Sequence, residues 1–173
     1  MIIKKLLEQY CKDKYRSIYE AKGNICYDLK LTMTNKTHTA IEIKFRSDLS
    51  TKYPSHLINM DKYAGLVEKA NKGIIESAYL TTIWYDGVIH ISNVFGEHTV
   101  EEHWQNKTTN VSDFTDGKKV LKQCACYQKQ VEFYFCYECD PETGALSPYF
   151  SREPINIAKL NYEAKQTKSI PLF

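Results

Sequence analysis

Apolar and polar positions alternate most cleanly over Ala40-Ile41-Glu42-Ile43-Lys44-Phe45-Arg46. Successive side chains of a β-strand point to opposite faces, so Ile41, Ile43 and Phe45 share one face and Glu42, Lys44 and Arg46 the other. A second strand-like run, Ile25-Cys26-Tyr27-Asp28-Leu29-Lys30-Leu31-Thr32, precedes it across the polar turn Thr34-Asn35-Lys36-Thr37. Tyr15 to Ala21 reads as an earlier strand, closed by the tight-turn pair Gly23-Asn24. Residues 2–13 show helical spacing instead, with Ile2, Ile3, Leu6, Leu7, Tyr10 and Cys11 on one stripe. The opening of the chain therefore reads as a helix followed by a three-stranded meander.

Ser47 to Ser55, with Pro54, is predicted as a loop. Met60 to Asn71 follows as a second helix with Tyr63, Leu66, Val67 and Ala70 on its apolar face and Gly73 as its stop signal. Ile74 to Trp84 and Val88 to Val94 read as strands joined by the hairpin turn Tyr85-Asp86-Gly87. A helix between meander and hairpin suits a crossover, which makes the sheet mixed. Patterning weakens after Phe95: residues 96–118 are polar, Val120 to Tyr127 and Val131 to Tyr137 form a strand-like pair, and residues 140–173 read as loop and tail. The expectation is an α/β fold, a mixed β-sheet flanked by helices over residues 1–94, with a β-rich extension over residues 95–173.

Glu42 and Lys44, two apart on one strand face, stand roughly 7 Å apart at the backbone and can address one ion or one phosphate. If the Asp28 run pairs with their strand, two carboxylates and a lysine converge. Phosphodiester hydrolysis needs an activated water and charge to offset what builds on the phosphoryl oxygens. Two carboxylates suit Mg²⁺ or Mn²⁺, hard ions that prefer oxygen ligands. Asp28 and Glu42 are the candidate metal ligands, with the Ile43 carbonyl as a third, and Lys44 is the candidate to orient or help deprotonate the water. The plainer alternative is a solvated polar face on a half-exposed sheet.

The net charge of +2 says little by itself, but its distribution is uneven. Residues 1–70 carry 13 Lys+Arg against 8 Asp+Glu, and residues 71–173 carry 10 against 13. The basic half holds the two acids and the lysine, which suits a polyanionic partner such as DNA.

The order helix, strand, Asp-bearing strand, Glu-x-Lys strand and helix resembles the PD-(D/E)XK nuclease superfamily, and within it the archaeal-type Holliday junction resolvases. The resemblance covers residues 1–94, with Tyr27-Asp28 standing where the family usually has Pro-Asp. It implies a restriction-endonuclease-like fold, divalent-metal-dependent cleavage of DNA and a homodimer acting in recombination or repair. Many members carry a further Glu on the first helix; Glu8 fits by its place, with Glu20 its competitor. Lys62, at the start of the second helix, and Arg46 are the candidate DNA contacts. Two rival readings are a restriction or defence nuclease on the same fold and a non-catalytic module that binds nucleic acid or a sliding clamp.

Cys124-Ala125-Cys126 and Cys136-Tyr137-Glu138-Cys139 offer two closely spaced thiol pairs, the usual supply of a structural zinc site. The alternative places Cys124, Cys126 and Cys136 as small core residues facing across a hairpin. His98 and His103 are five apart and do not match the helical i, i+4 pair of a zinc protease. The last residues, Ser169-Ile170-Pro171-Leu172-Phe173, are similar to the short peptide that bacterial repair and replication proteins insert into the sliding clamp, with Ile170, Leu172 and Phe173 as anchors and Ser169 where that motif has Gln. Met1 to Leu7 lacks the apolar core of a signal peptide and no long apolar run exists, so an intracellular protein with reduced cysteines and no membrane contact is expected.

Overall fold

The computed structural model describes residues 2–22, 25–109, 112–140 and 142–155. The chain enters through helix α1 (Ile2–Tyr10), whose stripe buries Ile3 and Leu6. The predicted helix stops three residues early, because Lys12–Lys14 form a 3₁₀ turn that leads into the first strand. Strands β1 (Tyr15–Glu20), β2 (Leu29–Met33) and β3 (His38–Arg46) then form the antiparallel meander. β2 is shorter than its apolar pattern predicts, and Asp28 stands just ahead of it.

The predicted 47–55 loop ends in a strand that alternation alone does not reveal, β4 (Ser55–Asn59). It feeds directly into helix α2 (Met60–Asn71). Strands β5 (Ser77–Trp84) and β6 (Val88–Asn93) follow as the expected hairpin. The expected crossover is present: β5 lies beside β3 in parallel, with Glu42 opposite Leu80 and Lys44 opposite Thr82.

The region after residue 95 is more ordered than its polar pattern suggests. β7 (Thr99–Thr109) and β8 (Ser112–Gln128) form a long antiparallel hairpin, and β8 also pairs with β4. β9 (Val131–Cys139) and β10 (Leu146–Ser151) turn back to the main sheet, where β9 pairs with β6. Two sheets result: a mixed seven-stranded one in the order β1-β2-β3-β5-β6-β9-β10, and a three-stranded one in the order β4-β8-β7. No helix among the described residues is long and apolar enough to cross a membrane.

Each face of the large sheet is covered by its own core. Leu29, Leu31, Ile41, Ile83 and Ile89 pack with Ile3 and Leu6 of α1, joined by Phe133 and Phe150 from β9 and β10. Ala40, Ala78 and Leu80 pack on the other side with Leu66 of α2 and with Ile58, Ala125 and Tyr127 of the small sheet. Gly87 (φ 77°) closes the β5–β6 turn in the left-handed region, and any Cβ there would sit 2.1 Å from the Phe135 carbonyl oxygen. That close approach lets β9 dock on the hairpin, since the Phe135 N–H donates to the Gly87 carbonyl at 2.7 Å.

Candidate active site

β3 alternates faces as its sequence predicts, with Ala40 in the α2-side core and Ile41 in the α1-side core. Glu42 shares the face of Ala40 and therefore lies beneath α2. It is not a solvated strand residue: only 1% of it is exposed. A buried carboxylate needs charge partners, and two lysines supply them. Lys44 Nζ lies 2.8 Å from Glu42 Oε1 and Lys62 Nζ lies 3.0 Å from Oε2.

Lys62 owes this position to its place on α2, one turn before Leu66, the helix's fully buried residue. Its ammonium also donates to the Ile25 carbonyl at 3.1 Å. Lys62, a candidate phosphate contact, here engages Glu42 and the segment leading to Asp28. The spacing to Leu66 was the available signal.

Asp28 occupies the gap where β2 stops accompanying β3. Its N–H donates to the Ile41 carbonyl at 2.9 Å, while its Oδ2 accepts the Ile43 N–H at 2.6 Å. The carboxylate thus takes the place of a ladder carbonyl. In an extended strand a residue's N–H and C=O point to the same side, so the Ile43 carbonyl also points toward the Asp28 side of β3. Asp28 thus reaches β3 through the Ile43 N–H, while Glu42 and Lys44 form an ion pair from the residues on either side of it.

The first-helix acid is not part of this group. Glu8 is exposed on α1, which packs on the sheet face opposite Glu42. Its charge acts instead on Tyr15, whose phenol is raised first by burial and next by Glu8. Glu20 ends β1 one residue before Ala21, whose N–H donates to the Asp28 carbonyl at 2.9 Å. Of the two acids Glu20 is the neighbour of Asp28 along the fold, and among the described residues neither Asp28 nor Glu42 belongs to a group of three His, Cys, Asp or Glu donors within 4.8 Å.

Gly65 holds the segment before Asp28 against α2. A Cβ at this position would meet the Cys26 Cβ at 2.9 Å and its Sγ at 3.3 Å. Gly65→Val should push residues 25–28 off the helix, pull the Ile25 carbonyl from Lys62 and cost about 1–3 kcal/mol as overpacking does. Chemical denaturation checks this: a midpoint equal to that of the unaltered protein would show that the segment is not seated as described.

Arg46 follows Lys44 on the same strand face and lines a cavity of about 150 Å³ with Asp48, Tyr53, His103, Trp104 and Gln105. Trp104 is 68% exposed and Tyr53 44%. A guanidinium beside open aromatic rings can take a phosphate and stack a base. Arg46 is legible in the sequence as a candidate DNA contact, whereas Trp104 stands in a strand that polar residues disguise.

The four-cysteine zinc expectation fails on topology. β8 and β9 do not pair as a hairpin: β8 runs between β4 and β7, and β9 between β6 and β10. Cys124 and Cys126 therefore belong to the small sheet and Cys136, opposite Tyr149, to the large one. The three are free thiols, and the Cys139 side chain lies outside what the structure describes. Ile170, Leu172 and Phe173 also lie outside the described residues.

No protein-family model matches the chain, and no curated protein matches it. Among solved structures the chain matches that of Archaeoglobus fulgidus Hjc, a Holliday junction resolvase from an archaeal hyperthermophile. The match covers 54% of this chain and 70% of that one, at 22% identity and a TM-score of 0.40.

Proposed function

We propose that the chain is a metal-dependent endonuclease of the PD-(D/E)XK type that hydrolyses DNA phosphodiester bonds. One observation carries the reading: the Asp28 carboxylate sits in the ladder gap beside β3 while Glu42 and Lys44 form an ion pair beneath α2, at 2.8 Å. The donor set fits a hard divalent cation, because Asp28, Glu42 and the Ile43 carbonyl offer only oxygen. Mg²⁺ or Mn²⁺ held there would neutralise phosphoryl charge and lower the pKa of a bound water.

The remaining work falls to this chain's own groups. Lys44 keeps its ammonium at the mouth of the site, where it can orient the attacking water and offset charge on the phosphoryl oxygens. Lys62 balances Glu42 from the α2 side, so the burial of that carboxylate does not depend on Lys44 alone. Arg46, Trp104 and Tyr53 give the strand end a surface suited to a phosphate and to unstacked bases. A homodimer on a two-fold DNA substrate, such as a four-way junction, is part of the proposal.

A second reading has its own observation. Both Glu42 oxygens are taken by lysines, as in a structural ion-pair cluster within a non-catalytic DNA-binding module. Incubation with junction, flap, linear and single-stranded DNA, with and without Mn²⁺, separates the readings. Cleavage of some DNA form that requires the cation supports the nuclease. Binding without cleavage of any form supports the second reading. Equal cutting of junction and linear duplex would keep the chemistry and favour a restriction or defence nuclease.

A further inference from the structure

The small sheet carries a group of His, Cys and Glu side chains that does not include Asp28 or Glu42. Along β8, Ala125 and Tyr127 pack into the core between the sheets, so Cys124 and Cys126 face away from it. On that face Glu101 and His103 project from β7 toward Cys126. His103 Nε2 lies 3.3 Å from Cys126 Sγ and 3.3 Å from Glu101 Oε2. All three donor atoms lie within 4.8 Å of one another.

We propose that Glu101, His103 and Cys126 bind one transition-metal ion of the Zn²⁺ class on the face of the β4-β8-β7 sheet that carries Cys126. Tetrahedral zinc, with a sulfur ligand near 2.3 Å and nitrogen and oxygen ligands near 2.0 Å, sets its donors about 3.3–3.6 Å apart. The two distances at His103 match that spacing. The thiol and the carboxylate have other partners, the Cys124 carbonyl at 3.8 Å and the Thr99 hydroxyl at 2.8 Å, but a single ring nitrogen cannot make a well-directed bond to both at once. An ion between the three satisfies all of them.

The donor chemistry selects the metal. One thiolate, one imidazole and one carboxylate suit zinc and exclude the hard-ion preference of the Asp28–Glu42 site. Three protein ligands leave a fourth position for water or another ligand. In register, Cys126 lies opposite Thr99 while His103 lies opposite Lys122, four residues further along β7. Binding therefore links points that a flat ribbon would hold well apart, and it fixes the curl of the hairpin. That curl presents His103, Trp104 and Gln105 to the Arg46 cavity.

The test uses the full chain purified from zinc-supplemented medium, with metal content by mass spectrometry and Co²⁺ substitution read by absorbance. The expected result is about one zinc per chain and a thiolate-to-cobalt charge-transfer band. Cys126→Ser should lose the band, and Cys136→Ser should keep both signals. Cys126 is buried, so His103→Gln and Glu101→Gln, at more accessible positions, repeat the test without disturbing the core; each should weaken zinc binding at least about tenfold. Substoichiometric zinc in the unaltered protein, or full binding in His103→Gln and Glu101→Gln, would overturn the site.

Discussion

Lys44→Ala is expected to slow divalent-dependent DNA cleavage by about 10²–10⁴-fold, the usual worth of a group that moves or steadies a proton in the transition state. On the proposed reading DNA affinity should change little, because Arg46 and the other basic residues of the first half of the chain remain to meet phosphate. The structure makes this separation possible. Lys62 stays 3.0 Å from Glu42 when Lys44 is gone, so the buried carboxylate keeps a cationic partner and the site keeps its shape. Glu42→Gln behaves differently. It removes the charge that both ammonium groups balance, and it should cost stability as well as cleavage. The informative comparison is single-turnover cleavage against equilibrium binding on the same substrate. A Lys44→Ala protein that cuts at the normal rate would remove Lys44 from the chemistry. A variant that loses binding and cutting in equal proportion would make Lys44 a phosphate contact instead.

The parts of this site that alternation could reveal were those on one strand. The spacing of Glu42 and Lys44 put them on one face, and they are on one face. What alternation could not show is depth. An alternating strand predicts a wet polar face, yet α2 lies over it and leaves Glu42 1% exposed. The same blindness to a third dimension explains Lys62, which a helix-surface reading sends outward to phosphate. Asp28 was placed inside a strand because Ile25 to Thr32 is apolar enough to be one; the carboxylate ends that pairing by accepting the Ile43 N–H itself. In the second half of the chain the failure has another cause. β7 and β8 pair along most of their length, but their residues are largely polar, so neither period stands out. The adjacent strands β8 and β9 looked like one hairpin with four cysteines. They diverge into different sheets, and the thiol of Cys126 instead meets a histidine set aside for lacking helical spacing.

Acidification should destabilise the protein steeply below about pH 6.5, through two histidines between the sheets. His56 and His90 are each 2% exposed and their rings lie 5.7 Å apart. Burial, the neighbouring His90, Lys129 and Arg46 depress His56 to about 3, and burial followed by Lys129 depresses His90 to about 4, against an ordinary 6.5. Asp86 is the acid that opposes the shift at His90. Hydrogen bonding points the same way for His90: the Trp84 indole N–H, which can only donate, is 2.9 Å from its Nδ1, so that nitrogen must be unprotonated. His56 lies between the Thr82 and Ser92 hydroxyls at 3.1 and 2.7 Å, partners that satisfy a neutral ring. Because both folded-state values lie below the unfolded one, the stabilisation is complete above about pH 6.5 and is lost as pH falls toward 4 and 3. Linkage puts the loss near 5 kcal/mol by about pH 4.5, a large share of a typical domain's stability. Urea unfolding between about pH 8 and pH 4.5 measures it, with the slope per pH unit approaching about 2.7 kcal/mol as both unfolded-state imidazoles charge. Replacing His56 with Gln should roughly halve that slope, since an amide can bond both hydroxyls without titrating. An unchanged slope in His56→Gln would mean that the acid sensitivity arises elsewhere in the chain.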